Sequence, residues 1–147
     1  MKPFITLLGI ILMPVCVTGQ QRTTPVQVPS EVTASLKKVF PETTPVKWEE
    51  KKEKYKAEFK VGKTKHEVWM NKAGTISKHQ YEVKKEDLPQ AVNETLAREF
   101  STYTIHDCER TDSDGNTSYK IEIKSSAGKK KVNIANDGKV IVKRDDL

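Results

Sequence analysis

The sequence predicts an α+β fold in which one unit, a helix followed by a four-stranded antiparallel sheet, is repeated in tandem with each helix packed on one sheet face. Three observations predict this fold. A helical motif at residues 28–40, VPSEVTASLKKVF, recurs at residues 88–100 as LPQAVNETLAREF. A strand motif, YKAEFK at residues 55–60, recurs as YKIEIK at residues 119–124. Short runs of alternating apolar and polar residues follow each helix, and their short links favour antiparallel neighbours.

Each helical motif carries one apolar stripe. Val32, Leu36 and Phe40 lie four residues apart, so they share one face of the first helix. A proline opens each motif, in the first helical turn where its missing N–H costs little. Pro41 ends the first helix because the residue before a proline avoids the helical region. A helix of three turns is not stable alone in water, so each stripe must pack against a sheet.

Four strands are predicted after each helix. In the first unit they comprise residues 46–50, 55–61, 65–71 and 75–83, and in the second residues 104–110, 119–124, 129–135 and 139–143. Tyr55, Ala57 and Phe59 alternate with charged residues, which predicts one strand face toward the helix and one toward solvent. A glycine closes the turn before the last strand of each unit. The polar segment 112–116 predicts a turn that is longer than its counterpart in the first unit.

The order of segments predicts an export signal, a tether and two units. Residues 1–19 hold an early lysine, a short apolar run and small residues before the expected cleavage point. The apolar run is shorter than the roughly 20 residues that a transmembrane helix needs, so no stable membrane span remains after the leader is removed. Residues 20–27 predict a flexible tether. Residues 28–83 and 84–147 form the first and second units, which we expect to pack as one body because each is small.

The leader predicts a periplasmic or secreted protein, with a lipid anchor on Cys16 as an alternative. Removal of the leader leaves Cys108 as the remaining cysteine, so no intramolecular disulfide can form. We expect Cys108 to be a small buried hydrophobe on a strand, on the same strand face as His106. The net charge of +6 is spread along the chain between acidic residues. Nucleic-acid sites need clustered basic residues, so no nucleic-acid partner is predicted.

The two units resemble the PepSY-like family of secreted bacterial proteins. The shared landmarks are a proline at the helix start, the V…L…F stripe, a tryptophan on the first strand, the Y-x-A/I-E-F/I strand and a final turn that ends in glycine. They extend over residues 28–142. The tandem repeats of that family are similar in fold to beta-lactamase inhibitory protein. The resemblance implies an exported, non-enzymatic module that binds or inhibits a partner, and it does not identify that partner.

The sheet face that points away from the helices is the predicted binding surface. Because Val68 and Met70 should face the first helix, Trp69 should lie on the opposite face. Tryptophan is enriched at the energetic centres of interfaces, so Trp69 is the predicted anchor for a protein or peptide partner. In the alternative, Trp69 only covers the stems of neighbouring lysines. The other predicted contact residues are Lys56, Glu58, Lys60, Glu67, Lys120, Glu122, Lys124 and Asn133.

The alternating lysines and glutamates of this face predict a role in the choice of partner. They would select and orient a charged protein partner, although a solvated sheet face would show the same pattern. A run of three lysines, Lys129, Lys130 and Lys131, leaves open a different function, a periplasmic sensor or binder of an acidic ligand or glycan. The oligomeric state is left open by the sequence.

No catalytic residue, cofactor or metal site is predicted. The sequence contains none of the common nucleophile, zinc-protease or phosphate-loop motifs. His66, His79 and His106 lie on three separate segments without the local spacing of metal ligands. Segment 112–116 lacks the ligand series of a calcium loop. The sequence therefore favours a binding protein over an enzyme.

Overall fold

A computed structural model describes residues 26–43 and 45–145 of the chain. The predicted export signal at residues 1–19, which includes Cys16, lies outside the described residues, as does most of the predicted tether. Within the described ranges, no helix is long and apolar enough to cross a membrane.

The two helices form where the stripes predict them. They are α1 (Ser30–Val39) and α2 (Gln90–Glu99), and a proline in an extended conformation precedes each of them. An acidic residue in the first turn of α1, Glu31, and two lysines in its last turn complement the helix dipole. A short 3₁₀ turn, Lys85–Asp87, leads into α2.

The strands follow the predicted order, and the hairpin around residues 112–116 is longer than predicted. They are β1 (Lys47–Lys51), β2 (Lys54–Val61), β3 (Thr64–Met70), β4 (Ile76–Glu82), β5 (Thr104–Ser113), β6 (Asn116–Ser125), β7 (Gly128–Ala135) and β8 (Val140–Asp145). The predicted long turn at residues 112–116 is wrong, because β5 and β6 continue through most of it. Only Asp114 and Gly115 turn, with φ of 51° and 78°. Positive φ at both positions is typical of a tight two-residue hairpin.

All eight strands belong to one antiparallel sheet. They lie side by side in sequence order from β1 to β8, so every neighbouring pair is a hairpin or a connection between adjacent strands. β4 pairs with β5, with Gln80 opposite Thr111 and Tyr81 opposite Arg110. The described part of the chain therefore has an α+β fold with two helices and one continuous eight-stranded sheet, where the sequence predicted a four-stranded sheet for each of two units.

Two apolar clusters fill the space between the helices and the sheet. The first cluster joins α1 to β2 and β3 and consists of Val32, Leu36, Tyr55, Ala57, Phe59, Val68 and Met70. The second joins α2 to β5, β6 and β7 and consists of Leu88, Val92, Leu96, Phe100, Cys108, Tyr119, Ile121, Ile123, Val132 and Ile134. Trp48 of β1 is partly buried and packs against the first cluster. Burial of each large apolar side chain stabilises the fold by roughly 1.5–3 kcal/mol.

Both clusters lie on the same face of the sheet. Directly paired residues of an antiparallel sheet point to the same side. Val68 of the first cluster pairs with His79. Tyr81, two residues further along β4, pairs with Arg110, and Arg110 pairs with Tyr119 of the second cluster. We call this side of the sheet the covered face and the opposite side the open face.

Candidate functional site

The open face carries Trp69 between two lysines. Trp69 is paired with Lys56 on β2 and with Lys78 on β4. The Nζ atoms of Lys78 and Lys56 lie 4.3 Å and 5.4 Å from the centre of the indole ring. A cation within about 6 Å of an aromatic face is attracted by the ring. Trp69 is partly buried by these side chains, so it lies on the predicted face and also covers the lysine stems.

A network of ion pairs borders the tryptophan. Lys56 pairs with Glu58 on its own strand and with Glu67 on β3, where the Nζ–Oε2 distance is 3.2 Å. Lys65 also pairs with Glu67, at 2.8 Å. The side chain of Lys56 is only 11% exposed. These four charges are consequently held by one another and are not free to reorient singly.

The pKa values of the network follow from that arrangement. Burial alone would raise the pKa of Glu67, but hydrogen bonds from Lys65 and Lys56 outweigh it and lower that pKa. Burial alone would lower the pKa of Lys56, and its hydrogen bonds to Glu58 and Glu67 reverse the shift. Both charged forms are therefore favoured at neutral pH.

Lys78 differs from these lysines. No ion pair to Lys78 is found among the described residues, and burial lowers its pKa, with Glu67 and Glu109 opposing the shift. Sequence reasoning missed this residue because simple alternation does not place it beside Trp69. A β-bulge between Trp69 and Met70 shifts the register, so that Met70 pairs with Ile76 while Trp69 pairs with Lys78.

The second half of the open face holds four more of the predicted contact residues, and Lys60 lies on β2 in the first half. Lys120 pairs with Glu109 on β5 and lies opposite Asn133 on β7. Glu122 accepts a hydrogen bond from Lys129 at 2.7 Å, which lowers the pKa of Glu122. Lys60 and Lys124 are exposed on the same face. The nine predicted residues thus share one face, in one group around Trp69 and another on β6 and β7.

The run of three lysines does not form one basic cluster. Lys129 lies opposite Lys124 on the open face, whereas Lys130 lies opposite Ile123, whose side chain belongs to the covered face. Lys131 returns to the open face, opposite Glu122. Alternation along β7 therefore separates the three charges, and Lys129 is already paired with Glu122.

Two histidines that are distant in sequence meet on the covered face. The distance between His66 Nδ1 and His79 Nε2 is 2.9 Å, and the rings are bordered by Phe40, Phe59 and Tyr81. Burial lowers the pKa of His79 to about 4, with the neighbouring His66 adding to the shift. The described ranges contain no group of three or more His, Cys, Asp or Glu side chains that could hold a metal.

Cys108 is a buried member of the second cluster, as predicted, and its side chain is 3% exposed. Burial raises the pKa of its thiol to about 11. The prediction that His106 shares its strand face is wrong, because a β-bulge lies between Ile105 and Asp107. His106 is exposed and approaches Glu122 of the open face, at 3.5 Å. The thiol therefore has no histidine beside it to act as a base.

The sequence profile of one family covers almost all of the described chain. The family is described as "Putative beta-lactamase-inhibitor-like, PepSY-like", and it matches residues 18–77 and 53–142 in two overlapping segments. A comparison with curated protein sequences found no match.

Solved structures share the fold. A DUF2874 family protein of Bacteroides uniformis is 21% identical, with a TM-score of 0.71 over 80% of this chain and 89% of that one. A Bacteroides eggerthii structure described as "putative periplasmic proteins" is 20% identical, with a TM-score of 0.72 over 81% and 89%. A BLIP-like protein of Bacteroides fragilis is 19% identical, with a TM-score of 0.68 over 81% and 86%. With the profile match over most of its length, the chain belongs to the PepSY-like, beta-lactamase-inhibitor-like family.

Proposed function

We propose that this protein is an exported, non-enzymatic binding module that recognises a protein or peptide on the open face of its sheet. The single observation that carries the proposal is Trp69, a large aromatic side chain on a sheet face that no described helix covers. Tryptophan at such a position offers a large contact area at a small cost in conformational entropy.

The charged residues around Trp69 supply orientation. The lysines and glutamates of the open face are arranged in rows of opposite sign, with pairs such as Lys56–Glu67 and Lys129–Glu122 held by hydrogen bonds. A fixed charge pattern of this kind selects partners by complementary charge more than it adds affinity. Lys60, Lys124 and Asn133 would contact the partner at the margins of the site.

Inhibition is the form of binding that the family description suggests. A module that docks through a rigid sheet face can block the active site of an enzyme without chemistry of its own. We therefore propose inhibition of a partner enzyme as one form of the activity, with beta-lactamases as the first enzymes to assay.

Export and duplication complete the proposal. The leader at residues 1–19 would direct the chain to the periplasm or the medium. The repeated helical and strand motifs support an origin by duplication, with residues 28–83 and 84–147 as the two units. The halves would then have diverged, since Trp69 in the first corresponds to Asn133 in the second.

A capture experiment with matched variants tests the binding site. Immobilised wild-type protein, Trp69→Ala and Val39→Ala are incubated with envelope extract of the producing cells, and the retained proteins are quantified. Val39 is an exposed apolar residue of α1, 55% accessible, so its truncation removes apolar surface away from the open face. We expect a protein that is retained by the wild type and by Val39→Ala but lost from Trp69→Ala.

The result that would overturn the proposed site is equal retention of every captured protein by Trp69→Ala. Circular dichroism of the variants checks that both are folded. In parallel, initial rates of a panel of beta-lactamases are measured with and without the wild-type protein. A rate that falls with wild-type protein and not with Trp69→Ala would assign inhibition to the same face.

The second functional hypothesis, binding of an acidic glycan, finds less support. It depended on three adjacent lysines, and alternation sends Lys130 to the opposite side of the sheet from Lys129 and Lys131. Binding of a polyanion through a β-strand needs charges on one face, at every second residue.

A further inference from the structure

Lys78 is a partly buried cation whose charge no described residue neutralises by an ion pair. Its Nζ lies over the indole of Trp69, 4.3 Å from the ring centre. Burial lowers its pKa, as expected for an ammonium group that has lost solvent without gaining a carboxylate. The ring compensates part of that loss, because a cation over an aromatic face is attracted to it.

The two carboxylates that raise the pKa of Lys78, those of Glu67 and Glu109, are already engaged by other residues. Glu67 accepts from Lys65 at 2.8 Å and pairs with Lys56 at 3.2 Å. Glu109 pairs with Lys120 and accepts a hydrogen bond from Gln80 at 2.8 Å. Each carboxylate thus already has two partners, and neither forms an ion pair with Lys78 in the described part of the chain. Lys78 is partly exposed on the open face, so its charge is accessible to a group that docks there.

We infer that the partner presents an aspartate or glutamate side chain to Lys78, next to the group that packs on Trp69. This inference rests on the proposed function and names the chemistry of its partner. An incoming carboxylate would pair with an ammonium that is already desolvated and positioned, so little additional solvent and little side-chain freedom would be lost on binding. The neighbouring Lys56 would not compete for the carboxylate, since Glu58 and Glu67 hold it.

A random peptide library displayed on phage tests the inference without a known partner. The library is selected on the immobilised wild-type protein and depleted on Trp69→Ala, so that only peptides dependent on Trp69 remain. We expect these peptides to be enriched in aspartate and glutamate. Their dissociation constants are then measured against the wild type, Lys78→Met, Lys78→Arg and Lys63→Met. Lys63 is an exposed lysine of the β2–β3 turn, outside the predicted contact residues, and serves as the matched control.

The variants distinguish a carboxylate contact from general attraction by positive charge. A charged hydrogen bond contributes about 1.5–3 kcal/mol, so Lys78→Met should weaken binding about tenfold or more. Lys78→Arg keeps the charge and should bind within a few fold of the wild type, as should Lys63→Met. Binding to the wild type should weaken as salt increases, and binding to Lys78→Met should depend on salt less steeply.

Three outcomes would overturn the inference, and they distinguish its failure from failure of the proposed function. Peptides that require Trp69 but show no acidic enrichment, or that bind Lys78→Met as tightly as the wild type, would refute the acidic contact and leave the Trp69 site standing. A selection that yields no peptide dependent on Trp69 would refute the site itself and the inference with it.

Discussion

The Nδ1 atom of His66 and the Nε2 atom of His79 lie 2.9 Å apart, within hydrogen-bonding distance across the β3–β4 hairpin. One ring must donate and the other accept, so the pair can hold this contact only while at least one ring is neutral. Burial lowers the pKa of both rings, that of His79 to about 4. Arg110 adds to the shift of His79, and Asp112 opposes it.

This pair predicts a loss of stability in mild acid. The pKa of His79 is below the unfolded value of about 6.5, so the unfolded chain binds the proton more readily between these two values. The folded state therefore has its full stability above the unfolded pKa, and it loses stability as the pH falls toward 4. Because His79 is only partly buried, we expect a decrease on the order of 1 kcal/mol in the free energy of unfolding from pH 7 to pH 5.

Urea unfolding of the wild type and His79→Gln at the two pH values measures this decrease. The glutamine cannot titrate, so the variant should show a smaller difference between pH 7 and pH 5. His106→Gln is the matched control, since the His106 side chain is 57% exposed and faces the other side of the sheet. An equal pH dependence in the wild type and His79→Gln would contradict the assignment.

Two turn glycines, Gly74 and Gly62, differ in how closely other residues approach them, and Gly74 lies against α1. Gly74 has a φ of +79°, and a Cβ built there would lie 2.9 Å from the backbone oxygen of Glu31 and 2.5 Å from Ser35 Oγ. Gly62 has a similar φ of +60° but nothing within 4 Å of its Cβ position. Gly62→Ala should cost about 1–2 kcal/mol, the backbone strain alone. Gly74→Ala should cost about 1–3 kcal/mol more, because α1 must also move.

Thermal unfolding of the two alanine variants separates strain from close approach. The difference in free energy between Gly74→Ala and Gly62→Ala measures the contact with α1, since both carry the same backbone strain. Equal melting temperatures would mean that α1 does not rest on this turn. Gly138, at φ +87° and 2.6 Å from the Ala91 oxygen by the same construction, should behave as Gly74 does.

The fold followed from periodicity because its determinants are local and repeated. The apolar stripe of Val32 and Leu36 and the alternation of Tyr55, Ala57 and Phe59 each bury one side of an element, and both are visible in the sequence. The pairing of β4 with β5 joins the halves through residues such as Gln80, which carry no apolar pattern. The Asp114–Gly115 dipeptide is a known signal for a two-residue turn, and it would have predicted the longer β5–β6 hairpin.

The candidate site could be predicted only as far as the alternation holds. Trp69 lies on the face that alternation assigned to it, because β3 is regular up to that residue. Lys78 and His106 could not be placed, since both follow from β-bulges, which insert one residue and reverse the alternation. The contact between His66 and His79 depends on the register of β3 against β4, and the spacing of residues within either strand does not predict it.

The buried thiol of Cys108 predicts slow chemistry in the native state. It is 3% exposed, and burial raises its pKa to about 11, so little thiolate forms at pH 8. In protein that begins at residue 20, we expect a thiol reagent such as Ellman's to react with Cys108 at least about a hundredfold more slowly than in urea. Equal absorbance kinetics with and without denaturant would show that the second cluster admits the reagent.

The continuous sheet predicts that the two halves unfold together. Both tryptophans, Trp48 and Trp69, belong to the first half, so their fluorescence reports on β1 to β4. Ile121 is fully buried in the second cluster, and Ile121→Ala should cost about 2–5 kcal/mol. If β4 and β5 couple the halves, this substitution lowers the urea midpoint reported by tryptophans that it does not touch. The midpoint from circular dichroism should fall by the same amount, as a two-state transition requires.

An unchanged fluorescence midpoint, with an earlier transition in circular dichroism, would mean that the units at residues 28–83 and 84–147 are thermodynamically separate. Independent units would each rely on a small core, whereas a shared sheet lets each half be stabilised by the other.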